Sequence, residues 1–277
     1  MKILLIGGQS DLACYLYPIL SEKHQVITSG RNGCDLYMDL NKNITFPNDI
    51  DIVINTVAFF GINTDGDYYN SLEINALGAL RICIEAHRKN IKYLLHTSSL
   101  FSILPPSSPY YTIYAISKKL GDEIIANYCL KNNIDFAILR PSQLYGYKIK
   151  NIHHQPFFHT IICNAAQGKV VQIYGNNDPK RNYLHMEDFA NIIDRVIDMK
   201  VSGVYTCQYP SNTSFVEIAK TAFEIFGNKT AIDFCREKAN IPDNIFMYDD
   251  TLYNIIDYFP KISLKMGIEE YKRNREQ

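Results

Sequence analysis

No stretch of this chain reaches about 18 consecutive apolar residues, so no membrane-spanning helix is expected. The apolar start "MKILLIGG" is broken by glycine after a few residues, too soon for the hydrophobic region of a signal peptide. Runs of like charge and basic stripes are also missing: 28 Lys and Arg stand against 29 Asp and Glu, a net charge of -1. That balance argues against nucleic acid and anionic membrane as partners. The seven cysteines, Cys14, Cys34, Cys83, Cys129, Cys163, Cys207 and Cys235, include no CxxC pair, so neither a zinc site nor a disulfide framework is indicated. A soluble protein of the reducing cytoplasm is the expectation. Tryptophan is absent while tyrosine reaches 20, a bias to which we attach no function. No internal repeat or low-complexity tract is visible.

What is present is an alternation. "KILLIG" (2–7), "QVITS" (25–29), "IDIVINTVA" (50–58), "IKYLLHTSS" (91–99) and "IDFAILRP" (134–141) are continuous apolar runs of strand length. Continuous rather than alternating hydrophobicity is what a parallel sheet covered on both faces requires. Between them lie longer amphipathic segments: "DLACYLYPILSEK" (11–23), "YYNSLEINALGALRICIEAHRKN" (68–90) and "TIYAISKKLGDEIIANYCLKNN" (112–133). The order is βαβα, an α/β doubly wound parallel (Rossmann) sheet. After Pro141 the pattern becomes polar, aromatic and turn-rich before regularity resumes, as in a smaller cap over the strand ends. At 277 residues the chain is long enough for one large core with such a partner.

In such a sheet, ligands sit beyond the carboxyl ends of the strands, and the first turn approaches a phosphate. That turn is "IGGQSDLA", with Gly7 for the sharp bend, then Gly8, Ser10 and Ala13 as small residues that let a helix N-terminus close on a pyrophosphate. Ser10 stands where glycine is usual. At the end of the second strand a carboxylate would mark NAD by holding the ribose hydroxyls. The sequence offers Gly30 and Arg31 instead, and a guanidinium pairs with a 2′-phosphate, so NADP(H) is expected over NAD. A surface arginine is the alternative. Asp39 and Leu40 are placed to touch the adenine edge.

Tyr114 and Lys118 stand one helical turn apart on one face, and "HTSS" before them supplies Ser99. With these three in order behind a dinucleotide turn, the chain resembles the extended short-chain dehydrogenase/reductase family of nucleotide-sugar epimerases, dehydratases and reductases. The resemblance runs through "GGQSDLA", "NTVA", "EINALGA", "HTSS", "YAISKK", "LRPSQLYG", "RNYLHMEDFA" and "PKISLKMGIEEY", nearly the whole length. It implies a dinucleotide-binding domain at 1–145, with 183–207 returning to it, and a smaller substrate-binding subdomain at 146–182 and 208–277. It implies cofactor contacts from Gly7, Ser10, Asp11, Leu12, Arg31, Asp39, Leu40, Thr56, Val57, Ala58, Asn75, Thr97, Tyr114, Lys118, Pro141 and Leu144. Asn75 matches the asparagine that supports the active-site helix, and Lys118 also binds the nicotinamide ribose. A dimer through the helices carrying Asn75 and Tyr114 is the family's usual assembly.

The chemistry asks for these residue types. Reducing a ketone needs a proton at oxygen as hydride arrives at carbon; Tyr114 would donate it and Ser99 would hold the carbonyl. Bringing a phenol from about pH 10 to neutrality costs roughly 4 kcal/mol. One ammonium at about 4 Å supplies that order at an effective dielectric near 20, so Lys118 is expected to suffice.

Within the family, dehydratases carry an acidic pair after the catalytic serine, and enzymes that epimerise beside the ketone carry a cysteine there and a histidine further on. Leu100 and Phe101 follow Ser99 here, and His159 stands where that histidine would be. The expected activity is therefore NADPH-dependent reduction of the 4-keto group of a nucleotide-linked (deoxy)sugar. A 4-epimerase with tightly bound NAD is the alternative, and a non-catalytic NADP(H)-sensing regulator is a third reading. For the nucleotide-diphosphate sugar, Ser99, Gln143, Tyr145, Arg181 and Arg236 are the expected contacts, the arginines on the pyrophosphate. His153, His154 and His159 lack a neighbouring carboxylate and ligand-like spacing, so no metal is expected. His185 and Asp188 are expected to fix and cap a strand-to-helix turn.

Overall fold

The computed structural model describes residues 1–61, 64–147 and 155–275. The chain forms β1 (Lys2–Ile6), α1 (Ala13–Ser21), β2 (Gln25–Gly30), β3 (Leu36–Tyr37), β4 (Ile52–Asn55), α2 (Asp65–Ser71), a π-helical turn (Leu72–Leu77) and α3 (Gly78–Arg88). Next come β5 (Tyr93–Thr97), a 3₁₀ turn (Leu100–Ile103), α4 (Ile113–Lys131), β6 (Asp135–Pro141), β7 (Gln143–Tyr145), α5 (Pro156–Ala166), β8 (Val171–Tyr174), β9 (Lys180–Arg181) and β10 (Tyr183–His185). The remainder is α6 (Met186–Asp198), β11 (Gly203–Cys207), β12 (Thr213–Ser214), α7 (Phe215–Phe226), β13 (Ile232–Cys235), α8 (Thr251–Ile256) and α9 (Leu264–Arg275).

Two compact units result. The first holds the described residues of 1–141, 190–207 and 250–258, and the second those of 142–189, 208–249 and 259 onward. The first unit is built on a seven-stranded sheet in the order β11-β6-β5-β4-β1-β2-β3. Every pairing in it is parallel, as the continuous apolar strands require. Leu4, Ile6, Val53, Leu94 and Ile138 of the strands meet Ala79, Ile82, Cys83 and Ala86 of α3 and Ile125 and Cys129 of α4 in one buried cluster. The doubly wound Rossmann architecture expected from the sequence is thus present. The unit boundaries differ from the sequence division: β7 and β10 pair with each other in the second unit, while α8 belongs to the first.

The segment 68–90 is not one α-helix. Thr64 and Asp67 form a reciprocal cap that starts α2, and the chain then widens into the π-helical turn, closed by Gly78 N–H donating to Glu73 O. That turn places Asn75 against α4. The approach is close: a Cβ on Gly121 of α4 would lie 2.5 Å from Asn75 O, so only glycine fits there.

In the second unit, Phe158, Ile161 and Ile162 of α5 pack with Phe215, Ile218, Ala219 and Ala222 of α7 and Ile268 of α9. Ser214 and Glu217 cap α7 reciprocally, and Gly227 ends it in the left-handed conformation.

Candidate active site

The first turn is a tight cradle. Gly7 has φ +91, and a Cβ there would stand 2.6 Å from Thr56 Oγ1; one on Gly8 would stand 2.6 Å from Thr28 Cβ. Gly7 and Gly8 both donate to Ser29 O, at 2.8 and 3.1 Å. Ser10, the departure from the usual glycine, has a structural use: its hydroxyl accepts from Ala13 N at 3.1 Å and pairs with Thr56 Oγ1 at 3.0 Å. It therefore tethers the start of α1 to the end of β4. Leu12 N–H makes no hydrogen bond among the described residues, leaving a donor at the helix N-terminus. A glycine cradle leading into such a terminus fits a dinucleotide pyrophosphate.

At the tip of β2, Arg31 is exposed and makes no ion pair among the described residues. A carboxylate that sequence reasoning missed lies nearby: Asp35, which accepts from Thr28 N at 2.8 Å and Thr28 Oγ1 at 2.7 Å. Those bonds hold it below the usual carboxylate pKa and fasten it to β2. Gln9 Nε2 donates to Gly33 O at 2.5 Å and closes the same loop. Asp39 caps its own turn through Asn41 N, and Leu40 is buried, its carbonyl accepting from Arg81 at 2.7 Å. Val57 N is held by Asn55 Oδ1, which fixes the backbone leading to Ala58.

Ser99, Tyr114 and Lys118 meet at the carboxyl end of β5. Tyr114 and Lys118 are buried, 7% and 1% exposed. The Ser99 hydroxyl is hydrogen-bonded to the phenol and also accepts Phe101 N at 3.2 Å, which starts the 3₁₀ turn. Lys118 Nζ donates to Thr97 O at 2.9 Å. Asn75 braces the assembly from behind: its amide donates to Ser117 Oγ at 3.0 Å and Phe59 O at 2.9 Å, and its carbonyl accepts Phe59 N at 2.8 Å. Its role here is to lock α4 to the loop after β4. Phe60, from that loop, stacks on Tyr114 at 4.8 Å, and Phe101 meets the same ring edge-on at 6.0 Å. In the sequence Phe101 is marked only as a residue that follows Ser99 where dehydratases carry acids, and Phe60 only by its proximity to "NTVA".

The electrostatics correct one expectation. Tyr114 is raised above its ordinary value, first by burial and then by the Asp122 carboxylate, with the Ser99 hydrogen bond opposing. Lys118 does not bring it toward neutrality, because its ammonium is turned to Thr97 O and burial lowers its own pKa to about 8. Asp122, which Arg140 Nε holds at 2.9 Å, supports the charged form of Lys118. His96, on β5, is kept neutral by burial and by Lys118, and pairs with Asn55 through Nδ1 at 3.0 Å.

The expected substrate contacts lie in the second unit, apart from Ser99, and are described there. Arg181 is buried, donates to Lys180 O at 2.9 Å and Pro242 O at 2.7 Å, and lies over the Phe215 ring. Arg236 is exposed after β13. Gln143 and Leu144 are half-buried on β7. Tyr145, expected to contact substrate, borders a cavity with Tyr183, Tyr209 and Ser263; its ring packs with Phe158, Tyr183 and His185, and its hydroxyl donates to Ser263 O at 3.3 Å. It is a core residue of that unit. Pro141 is buried at the end of β6. His185 accepts Glu187 N at 3.2 Å and so fixes the strand-to-helix turn, and Asp188 accepts from Lys261 N and Ile262 N before α9. His159 is buried beside Tyr271; His153 and His154 lie outside the described residues.

The chain matches the NAD dependent epimerase/dehydratase family over residues 15–207. An uncharacterized UDP-glucose epimerase of Bacillus subtilis is 22% identical over 235 residues, covering 79% of this chain and 72% of that protein. A probable GDP-L-fucose synthase of Oryza sativa subsp. japonica is 26% identical over 179 residues, 60% of this chain and 53% of the relative, so about half of that protein is spanned. Among solved structures, the UDP-glucuronic acid 4-epimerase of Bacillus cereus, in complex with UDP-glucuronic acid and NAD, superposes with a TM-score of 0.81 at 18% identity, covering 100% of this chain and 99% of that one. The chain belongs to the NAD-dependent epimerase/dehydratase family, the extended short-chain dehydrogenase/reductase group. It is an NAD(P)-dependent enzyme of the oxidoreductase type that the family comprises. No helix among the described residues is long and apolar enough to cross a membrane.

Proposed function

We propose that the chain reduces the 4-keto group of a nucleotide-linked sugar, with NADPH as the consumed cofactor. The observation that carries this reading is the surroundings of the Ser99–Tyr114 pair. Leu100 is buried and Phe101 lies edge-on to the phenol, so the positions that hold further acids or a thiol in dehydratases and two-base epimerases present an apolar wall. What remains is one buried phenol that keeps its proton at neutral pH, beside a serine hydroxyl that can hold a carbonyl. That arrangement suits donation of a proton to a carbonyl oxygen. When bound, the nicotinamide supplies the hydride. Tyr114 would give its proton to the oxygen, Ser99 would steady the developing charge, and Lys118 would hold the ribose hydroxyls. The cradle at Gly7 and Gly8 would receive the pyrophosphate.

The preference for NADPH rests on Arg31, which is exposed and uncommitted at the tip of β2, and on Asp35 being fastened to Thr28. Arg181 and Arg236 would meet the pyrophosphate of the substrate, with Gln143 beside its sugar. A second reading, a nucleotide-sugar 4-epimerase with tightly bound NAD, is favoured by the names of the B. subtilis and B. cereus proteins and by the NAD in the latter's complex. The purified protein separates the two. Arrival without bound nucleotide and oxidation of added NADPH by a nucleotide-linked 4-keto sugar support the reductase. Co-purified NAD with no net NADPH turnover refutes it. The compartment proposed is the cytoplasm, and the assembly a homodimer.

A further inference from the structure

At the opposite end of the first unit's sheet from Ser99 and Tyr114, a cluster of charged groups has no part in this chemistry. Asp194 and Asp198 stand four residues apart in the last turns of α6, hence on one face. They face the Lys23–His24 pair that leads into β2. Lys23 Nζ donates to Asp194 Oδ2 at 2.7 Å and Asp198 Oδ2 at 2.9 Å. The His24 side chain is only 7% exposed, and its Nε2 points at Asp198 Oδ1 from 3.8 Å, beyond hydrogen-bond reach. Among the described residues, neither ring nitrogen of His24 has a hydrogen-bond partner, and neither has the buried Oδ1 of Asp194. Buried polar atoms are seldom left so. Two carboxylates at the C-terminal end of a helix also sit at the negative end of its dipole, where a cation is favoured.

We propose that His24, Asp194 and Asp198 form a binding site for a divalent transition ion of the zinc class, which exchanges with the Lys23 ammonium. The three ligand atoms already lie within 4.8 Å of one another. Tetrahedral zinc, with bonds near 2.0–2.2 Å, places its ligand atoms roughly 3.4 Å apart, so side-chain rotation closes the set. One imidazole with two carboxylates selects zinc and its neighbours over magnesium and calcium, which take oxygen ligands. Lys23 marks the spot as one that stabilises positive charge, and with its side chain 46% exposed it can swing into water. Water completes the coordination. The ion joins α6 to the turn between α1 and β2, so its role is a staple at the end of the sheet away from the cofactor turn.

The test uses the full chain, stripped of metal by a chelator, with zinc, cobalt and magnesium chlorides as probes and melting temperature and calorimetry as readouts. Zinc is expected to raise the melting temperature. Lys23→Met should tighten binding by about tenfold by removing the competing ammonium, and Asp198→Asn and His24→Gln should each weaken it by at least about tenfold. Cobalt should give visible d–d bands without a thiolate charge-transfer band. No zinc effect on either the wild type or Lys23→Met at millimolar concentration overturns the proposal. So does an effect that persists undiminished in Asp198→Asn, a thiolate band, or an equal response to magnesium. Should His24→Gln fail to fold, the exposed Asp198 carries the test alone. Turnover is not a readout, so the outcome leaves the reading of the Tyr114 site untouched.

Discussion

Replacing Lys118 with methionine removes a buried ammonium, and the structure fixes how stability should then depend on pH. Burial lowers the Lys118 pKa from 10.5 to about 8. Between those values the unfolded chain binds the proton that the folded chain has released, so this group makes stability rise with pH across that window. Below pH 8 it contributes a constant penalty, about 1.36 kcal/mol for each pH unit between the two pKa values, or roughly 3 kcal/mol. Integrating from pH 7 to pH 9 gives a gain of about 1.3 kcal/mol, equivalent to about 2–3 °C in Tm for a chain of this size. Other groups also titrate there: the raised pKa of Cys83 makes stability fall with pH from about its ordinary value upward. They are common to both proteins and cancel in the difference, as does the lost hydrogen bond to Thr97 O. The assay is denaturant unfolding of the wild type and Lys118→Met at pH 7 and pH 9. The wild type should gain about 1.3 kcal/mol relative to the variant between the two. An unchanged difference would show that Lys118 is not desolvated, and the placement of its ammonium against Thr97 would be wrong.

Asn75→Ala removes three hydrogen bonds, a buried one to Ser117 and two part-buried ones with Phe59, and should cost roughly 2–3 kcal/mol in unfolding free energy, with a loss under about 0.5 indicating that the brace is not formed. Gly121→Ala forces a methyl to within 2.5 Å of Asn75 O and should destabilise by about 1–3 kcal/mol; a neutral or stabilising result, the ordinary outcome for Gly to Ala in a helix, would mean that α4 does not approach the π-helical turn so closely. Arg31→Ala should weaken NADPH binding, followed by fluorescence titration, by at least about tenfold while leaving NADH nearly unchanged. Equal losses would show that Arg31 does not read a 2′-phosphate.

The central sheet was legible because β1, β4, β5 and β6 are almost wholly buried and so carry apolar runs, whereas β2 is only partly buried and is marked chiefly by its place between α1 and the turn at Gly30. The outermost strand β3 spans only Leu36–Tyr37, too short to leave a period, and β7 and β10 gain their identity by pairing with each other across about 40 residues. The π-helical turn escaped notice because one widened turn leaves the apolar spacing of a helix almost intact, while its cause, the Gly121–Asn75 approach, is tertiary. Ser99, Tyr114 and Lys118 could be read from spacing because a strand end and one helical turn place them together. The direction of the Tyr114 pKa could not, since it depends on where the Lys118 ammonium points and how deeply the phenol lies. The motif around Tyr145 says nothing of its packing with Phe158 and Tyr183, which is set by partners distant in sequence.

The proton donor is tested most directly by Tyr114→Phe, a change that deletes one oxygen and keeps the ring between Phe60 and Phe101. NADPH oxidation with a nucleotide-linked 4-keto sugar should fall by at least about a hundredfold, the usual scale of general acid catalysis, while NADPH binds with nearly unchanged affinity. Turnover within a few fold of the wild type would contradict the assignment of that phenol as the acid.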